Sequence, residues 1–318
     1  MIDWPNHTEA WREWRDAMQG SRMHHGWILA GKSGLGKHAF AEAAARELVG
    51  AAPSVEHHPD ILLLTYGPKD EKEERKRADG KEFELARSIR ISQIREMQHR
   101  LTTRPTLGDR RVVILNPADD MERNASNALL KSLEEPPKGT FFLLVTHRPA
   151  QLLPTIRSRC RILRFPLLSD EQIALMIDQE APLVDPARRE AALAAAGGSL
   201  GSALTFLEQD LSEAASLMRR LLADGDAGFE KRGQLAKAIG ARPDKQRLRA
   251  IFELAQSLVA EELPNAHRQR QLALIEAHAA LVKLSTQAPT FNFDAGLLAQ
   301  EIGSLLARAA GASERANV

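Results

Sequence analysis

Residues 26–49, GWILAGKSGLGKHAFAEAAARELV, decide the fold class, because they place a short apolar run, a glycine-rich loop and an apolar-periodic helix in direct succession. The loop 31-GKSGLGKH-38 follows the pattern G-x-x-x-x-G-K up to its last position, where His38 replaces the usual Ser or Thr. In such a strand–loop–helix unit, loop N–H groups and the positive end of the helix hold an anion. The candidate phosphate-loop residues are Gly31, Gly34, Gly36, Lys37 and His38; a glycine-rich turn without a phosphate role is the alternative.

Apolar runs recur through the first half of the chain. They lie at 26–31, 60–66, 110–116, 140–146 and 160–165, and helical periodicity predicts helices at 37–49, 92–101 and 122–135. Unbroken apolar strands separated by helices are typical of a parallel sheet covered on both faces. We therefore predict a doubly wound α/β domain over residues 1–166. Segment 68–82 is nearly all charged and has no apolar periodicity, so it is predicted to be a mobile surface insertion.

Helix signals replace the strand signals after residue 166. Capping-box spacing at 169–172, the Asp185-Pro186 pair and Gly197-Gly198 predict a small helical domain over 167–208. Helical patterns then continue at 212–223, 229–240, 244–262, 266–287 and 294–310, which predicts an all-helical C-terminal domain over 209–318. The last pattern carries Leu298, Ile302, Leu305 and Leu306 on one face, which favours packing within a bundle over an oligomer seam.

The composition limits the class of protein. Lys plus Arg (43) nearly balance Asp plus Glu (42), so no global charge recruits nucleic acid or an anionic membrane. The single cysteine, Cys160, excludes an intrachain disulfide and a multi-cysteine zinc site. No apolar run approaches the roughly 20 residues that cross a bilayer, and the N-terminus is too polar for a signal peptide. We expect a cytoplasmic protein without a membrane partner.

The loop and the third predicted strand both depart from the pattern of a hydrolysing enzyme. Mg²⁺ prefers oxygen ligands, so the imidazole of His38 is a poor substitute for a hydroxyl. The third strand ends in Asn116 and Pro117, where such enzymes carry acids that orient Mg²⁺ and polarise water. Asp119 and Asp120 follow and are predicted to cap a helix. The sequence therefore predicts negligible hydrolysis and no required cofactor, with weak ATP, ADP or anion binding still open.

Two stretches carry a more specific pattern, 127-NALLKSLEEPP-137 and 140-TFFLLVTHRPAQLLPTIRSRC-160. They closely resemble the bacterial clamp-loader subunits of the AAA+ class, and the resemblance covers about residues 1–205 well and the rest only by pattern. The motif positions in this chain are Asn127, Glu134, Glu135, Ser158, Arg159 and Cys160. Many family members carry a four-cysteine zinc module, which a chain with one cysteine cannot form.

The resemblance implies a pentameric loader that closes a sliding clamp on primed DNA. The implied partners are the gamma/tau ATPase subunits and the delta subunit of DNA polymerase III, with the clamp and DNA reached through the complex. In this family the arginine of the Ser-Arg-Cys motif, here Arg159, reaches across to the ATP of a neighbouring subunit. Its planar, permanently charged guanidinium suits a transferring γ-phosphoryl group. The alternative is that Arg159 only pairs with a surface acid.

Four further positions bear on the resemblance. Thr146 lies where the family's sensor residue contacts the γ-phosphate or the attacking water, although a strand-end cap is the alternative. In the lid, 198-GSLGSAL-204 has Gly201 where the family's ATPases carry an arginine, so a further phosphate contact is lost. Glu134 and Glu135 are adjacent at a helix end, diverge by roughly 100° and cannot flank one substrate, which favours an interface or cap role.

These observations leave three hypotheses. The first is a non-hydrolysing clamp-loader subunit that donates Arg159 in trans. The second is an active AAA+ ATPase of the loader or of a related DNA-processing machine. The third is a stand-alone nucleic-acid-binding protein, which draws on the basic residues of 84–111: Arg87, Arg90, Arg95, Arg100, Arg104, Arg110 and Arg111. Because these charges are interleaved with apolar positions on one helix, a solvated helix face is the alternative.

Overall fold

The computed structural model describes residues 2–20, 23–52, 55, 57–291 and 293–311. The chain divides into two compact units, Met1–Leu167 and Leu168–Val318. The division into three domains at 166 and 208 stays a prediction. Met1 and residues 312–318, at the outer ends of the predicted domains, lie outside the described residues.

The first unit is built on five parallel strands in the order β2-β3-β4-β1-β5. Their bounds are β1 (Gly26–Ala30), β2 (Ile61–Leu64), β3 (Arg111–Leu115), β4 (Thr140–Thr146) and β5 (Arg161–Arg164). Ile28 in β1 pairs with Leu144 on one side and with Ile162 on the other. All residues of β1 and β3 are buried, as expected for a parallel sheet covered on both faces. Each strand lies within the apolar run that predicted it.

Helices cover both faces of this sheet. They are α1 (Thr8–Gln19), α2 (Lys37–Val49), α3 (Glu71–Ala78), α4 (Ile91–Leu101), α5 (Arg123–Glu134) and α6 (Pro154–Arg157). On one face, α4 and α5 contribute Ile94 and Leu129 to a core shared with β3 and β4. On the other, Trp14 of α1 packs edge-on against Trp27 (5.4 Å between ring centroids) and Phe40 of α2 (6.5 Å). The predicted doubly wound α/β fold is confirmed, although α1 is not among the predicted helices.

Segment 68–82 contains the helix α3, which no apolar periodicity predicted. Asp70 caps this helix by accepting hydrogen bonds from the N–H groups of Lys72 (2.9 Å) and Glu73 (3.0 Å). The buried carboxylate of Glu73 accepts from Lys76 Nζ (2.7 Å) and from the N–H of Glu84 (2.7 Å). A cap and one buried carboxylate thus stabilise a helix that has no apolar stripe. That the segment is a mobile surface insertion stays a prediction.

An ion pair closes the amino-terminal edge of the sheet. Asp60, directly before β2, is fully buried and lies 3.1 Å from Nη2 of Arg111, the first residue of β3. Asp60 also accepts hydrogen bonds from the N–H groups of Thr106 and Leu107 (2.7–2.8 Å). Burial alone would raise the pKa of Asp60, but these hydrogen bonds and Arg111 hold it below its ordinary value.

The structure corrects one premise of the nucleic-acid-binding hypothesis, the placement of seven basic residues on one helix. Arg111 is 6% exposed, and its remaining N–H groups donate to the carbonyl groups of Arg100, Thr103 and Arg104. Of the seven basic residues, only Arg95 and Arg100 lie within α4, so the expected single basic helix does not exist.

The second unit is helical throughout the part that the structure describes. Its helices are α7 (Asp170–Glu180), α8 (Pro186–Ala196), α9 (Leu200–Glu208), α10 (Ser212–Asp224), α11 (Glu230–Ile239), α12 (Lys245–Glu262), α13 (Arg268–Phe291) and α14 (Ala295–Gly311). The predicted caps are confirmed, since Ser169 forms a capping box with Gln172 and Asp185 accepts from two N–H groups of α8. The apolar face of α14 is buried and packs against α10, α11 and α13, as predicted. Among the described helices, none is long and apolar enough to cross a membrane.

Candidate functional site at the carboxyl edge of the sheet

The carboxyl ends of parallel strands form the edge where open α/β folds bind ligands. Here the loop between β1 and α2 runs along that edge. Gly34 and Gly36 have φ angles of 75° and 73°, a conformation that residues with a side chain rarely adopt. A Cβ on Gly31 would lie 2.7 Å from the carbonyl oxygen of Phe165. These glycines are therefore required by the backbone path of the loop itself.

The N-terminal segment of the chain covers part of this loop. A Cβ on Gly36 would overlap the indole ring of Trp4. Trp4 stacks on His7, with ring centroids 5.4 Å apart, and Nε2 of His7 is 2.8 Å from the carbonyl oxygen of Leu35. Burial lowers the pKa of His7 below its ordinary value, which favours the neutral ring. No sequence pattern predicts this contact between the N-terminus and the loop.

Lys37, the first residue of α2, is buried and points back along the loop. Its Nζ donates a hydrogen bond to the carbonyl oxygen of Lys32 (2.5 Å). Burial lowers the pKa of Lys37 to about 8, and the negative charge of Asp119 partly opposes this shift. The lysine thus lies between its own loop backbone and the end of β3.

His38 occupies the place of the hydroxyl that would bind Mg²⁺. Its Nε2 lies 3.5 Å from Oε1 of Glu42, one turn further along α2. A half-exposed imidazole beside a helix carboxylate offers no oxygen to the loop, whereas Mg²⁺ binds oxygen ligands in a strict octahedron. The side chain at this position therefore does not fit a Mg²⁺ site.

Asn116 and Pro117 follow β3 and are joined by a cis peptide bond. The N–H of Asn116 donates to the carbonyl oxygen of Leu64 (2.9 Å), so this residue extends the pairing of β3 with β2. Pro117 is buried and has no polar side-chain atom. Neither residue supplies a carboxylate to the edge.

Asp119 and Asp120 supply the carboxylates instead, and both are bound by Arg148. The side chain of Asp119 is fully buried and accepts hydrogen bonds from the N–H of His147 (3.1 Å) and from Nε of Arg148 (3.2 Å). Asp120 accepts from Nη2 of Arg148 (2.8 Å) and from the hydroxyl of Tyr66. Burial would raise the pKa of Asp119, but the hydrogen bonds from His147 and Arg148 hold it below its ordinary value.

The predicted capping role of these two aspartates is wrong. Helix α5 begins after Glu122, which makes no side-chain cap, and the two carboxylates point to the end of β4 instead. The physical reason is that the carboxyl ends of β3 and β4 are neighbours in the sheet. Arg148, two residues beyond β4, was missed, and its only sequence signal was its position just after a predicted strand.

Thr146 ends β4 and is fully buried. Its hydroxyl accepts a hydrogen bond from the N–H of Arg148 (3.2 Å), and its carbonyl accepts one from the N–H of Gly31 (3.4 Å). The hydroxyl thus contacts the turn that follows β4, which matches the geometry of a strand-end cap. Its role as a sensor stays a prediction.

Arg159 lies on the surface after α6, away from these contacts. Its Nη2 forms a 2.7 Å ion pair with Oε1 of Glu134, the last residue of α5. Its Nη1 donates to the carbonyl oxygen of Thr155 (2.9 Å) and approaches Oγ of Ser158 at 3.4 Å. The side chain remains 36% exposed, so the guanidinium has both a surface partner and access to solvent.

The remaining motif residues fall into two groups. Asn127, Glu135 and Ser158 are exposed, Asn127 on α5 and Glu135 directly after it. Cys160 faces inward, where a Cβ on Gly26 would lie 2.9 Å from its sulfur. Burial raises the pKa of the Cys160 thiol to about 12, which makes it unreactive. In the part of the chain that the structure describes, no cluster of three His, Cys, Asp or Glu side chains could hold a metal ion.

The structure therefore brings the predicted site residues together in two places. The predicted Lys37 and Thr146 lie along the carboxyl edge of the sheet, beside Asp119 and Arg148, which were not predicted as site residues. The predicted Glu134, Ser158 and Arg159 lie on the surface beyond α5 and α6. Gly201 belongs to the second unit, within α9.

Comparison with known proteins gives one matching family model, described as DNA polymerase III, delta subunit, over residues 6–169, just over half of the chain. The DNA polymerase III subunit delta' of Pseudomonas aeruginosa is 37% identical over 157 residues, which are 44% of this chain and 43% of that protein. The Escherichia coli subunit of the same name is 30% identical over 209 residues, or 64% of this chain and 61% of that protein. The Escherichia coli subunit tau is 29% identical over 266 residues, or 81% of this chain and 37% of tau. The matches thus span about half the length of the two delta' relatives.

Proposed function

Because the chain belongs to the DNA polymerase III delta subunit family, we propose that it is a delta'-type clamp-loader subunit which hydrolyses no ATP itself. In this proposal Arg159 reaches the ATP of a neighbouring subunit and stabilises the charge that develops on the transferring phosphoryl group. Arg159 is the catalytic residue, and it acts on a nucleotide that another subunit holds.

The observation that carries the proposal is the contrast between the two groups of residues. At the carboxyl edge, both carboxylates are bound by Arg148, and His38 offers no oxygen ligand for Mg²⁺. At the surface, Arg159 is held by one exposed carboxylate and one carbonyl, contacts that a phosphate can replace. Charge-assisted bidentate binding by arginine favours such an exchange.

The partners in this proposal are the gamma/tau ATPase subunits and the delta subunit. The matches to delta' and tau proteins support membership of such an assembly. The sliding clamp and primed DNA are reached through the complex, and the cytoplasm is the proposed place of action. The loop Gly31–His38 retains glycines at the positions that an anion-binding backbone needs, so we propose weak, Mg²⁺-independent nucleotide or anion binding, with no zinc and no required cofactor.

The decisive experiment is Arg159→Ala in the reconstituted loader. We expect DNA-stimulated ATP hydrolysis to fall by roughly tenfold or more, because an arginine contributed in trans is worth several orders of magnitude in related phosphoryl transfers. Arg157→Ala is the matched control, since Arg157 is exposed and lies two residues away on the same segment. Normal ATP hydrolysis and clamp loading with Arg159→Ala would sink the proposal.

The isolated chain provides the test against an active ATPase. We expect no Mg-ATP turnover above background. Steady turnover that disappears on Lys37→Ala would instead establish the chain as an enzyme in its own right.

A further inference from the structure

Two ion pairs join the same two segments of the first unit. One segment runs from Asp119 to Glu134 and contains α5; the other runs from Arg148 to Arg159 and contains α6. Arg148 at the start of the second segment binds Asp119 and Asp120 at the start of the first. Arg159 at its end binds Glu134 at the end of the first.

The first of these contacts is firmly built. Arg148 uses Nε for one carboxylate and Nη2 for the other, while its backbone N–H donates to Thr146 Oγ1. The side chain of Asp119 is fully buried and also accepts a hydrogen bond from the N–H of His147, so the surrounding chain fixes its geometry, and Arg148 is bound to that fixed point. Residue 148 is thus anchored through both its side chain and its backbone.

The stretch between the two ion pairs is also anchored. Ile156 of α6 is fully buried in the core shared with α5, and the N–H of Arg159 donates to its carbonyl oxygen (3.1 Å). Between residues 148 and 156 the chain forms a short 3₁₀ helix (Pro149–Gln151), buries Leu152 in the same core and enters α6 at Pro154. Arg148 therefore holds the first end of a short, packed stretch that leads to Arg159.

We propose that Arg148 is a positioning residue for Arg159: by binding Asp119 and Asp120 it fixes the start of the 148–159 segment and so holds the Arg159 guanidinium where a neighbouring subunit's nucleotide can meet it. This inference rests on the proposed function of Arg159. In this inference the carboxylates of Asp119 and Asp120, at the carboxyl edge of the sheet, align the catalytic arginine of this chain instead of binding Mg²⁺.

The first test uses the full isolated chain and does not depend on any partner. In Arg148→Gln, we expect amide hydrogen exchange across residues 149–159 to rise about threefold or more, because local opening becomes easier once an anchor is lost. Exchange in β1 and β3 should stay unchanged. Arg123→Gln, which removes an exposed arginine at the start of α5, is the matched control. Unchanged exchange in Arg148→Gln would overturn the inference.

Arg148→Gln leaves Asp119 as a buried carboxylate without its ion-pair partner, which can weaken the fold as a whole. The double variant Arg148→Gln/Asp119→Asn removes that charge and keeps the test valid. It should retain a cooperative unfolding transition and still show faster exchange across 149–159. A return to wild-type exchange in the double variant would show that the unpaired charge, not the lost anchor, caused the change, and would also overturn the inference.

The second test uses the reconstituted loader. We expect Arg148→Gln to lower kcat for DNA-stimulated ATP hydrolysis several-fold while KM for ATP stays unchanged. The reason is that a misplaced group reduces stabilisation of the transition state more than it reduces substrate binding. In an Arg159→Ala background the same substitution should have no further effect. Additive losses, or a normal kcat, would contradict the positioning role. If Arg159→Ala alone has no effect, the proposed function fails, and the exchange experiment still decides whether the anchor exists.

Discussion

The side chains of Asp60 and Asp119 are both fully buried, and each is paired with an arginine, yet they lie at opposite edges of the same sheet. At the amino edge, Arg111 is 6% exposed and its donors are bound by Asp60 and three carbonyl groups. At the carboxyl edge, Arg148 is 41% exposed and divides its donors between two carboxylates. The first pair is enclosed by the fold, whereas the arginine of the second pair reaches solvent.

The difference shows how one interaction can serve two purposes. An enclosed pair has no solvent to replace a lost partner, so it contributes to stability only as an intact unit. A pair with one exposed partner tolerates loss better, because water solvates the remaining arginine. The pair at the amino edge is therefore expected to contribute more to the stability of the sheet than the pair at the carboxyl edge.

The largest expected effect is on stability, and it tests directly whether the two ion pairs differ. Asp60→Asn should lower the free energy of unfolding by about 3–5 kcal/mol, because it leaves the buried guanidinium of Arg111 without its carboxylate. Asp119→Asn should cost only about 1–2 kcal/mol, because Arg148 can turn to solvent. Urea denaturation of both variants at neutral pH measures the two values. Equal losses would show that exposure of the arginine does not distinguish the pairs.

A second, smaller effect concerns the buried lysine at the carboxyl edge. Burial holds the pKa of Lys37 at about 8, against an ordinary value of 10.5. The unfolded chain therefore binds more protons between these pH values, so the contribution of Lys37 makes the free energy of unfolding rise as pH increases from about 8 to 10.5. Below pH 8 the cost of burying the charge is fully present.

Lys37→Met should lack this rise and should be more stable than the wild type near pH 7, by roughly 1–3 kcal/mol at about 1.4 kcal/mol per pKa unit. Urea unfolding of the two proteins at pH 7.5, 9 and 10.5 gives the comparison. If the two stability curves run parallel across this range, Lys37 does not titrate as its burial requires.

The smallest expected effect on stability belongs to Arg159. Its ion pair with Glu134 is exposed, so Arg159→Ala should change the free energy of unfolding by less than about 1 kcal/mol. Thermal unfolding of this variant beside Arg157→Ala provides the measurement. A large loss of stability would mean that Arg159 stabilises the fold, as Arg111 does. A loss of activity in Arg159→Ala could then result from unfolding and could not be compared with the activity of the folded control Arg157→Ala.

The sheet could be predicted from the sequence because each strand is an unbroken apolar run, a pattern that burial on both faces imposes. Helix α2 begins at Lys37 as predicted, since a glycine-rich loop and a helical periodicity mark the same boundary. The helix at 71–78 could not be predicted from periodicity, because its stability comes from the Asp70 cap and the buried Glu73 carboxylate.

The candidate site was less predictable, because its contacts join parts of the chain that are distant in sequence. Asp119 and Arg148 are separated by 29 residues and meet only because β3 and β4 are adjacent in the sheet. The covering of Gly36 by Trp4 likewise depends on where the N-terminus runs. The sequence identified His38, Asn116 and Pro117 as departures from the pattern of a hydrolysing enzyme. It could not show which other side chains lie at the carboxyl edge of the sheet.

The indole of Trp4 above Gly36 also has an optical consequence. Tryptophan emission depends on what the ring touches, and this ring lies against the phosphate-loop backbone with the His7 imidazole stacked on it. Of the four tryptophans, Trp14 and Trp27 are sealed in the core, and Trp11 packs on Phe40. Trp4 therefore places a natural fluorophore against Gly36, and its emission would report a displacement of this loop.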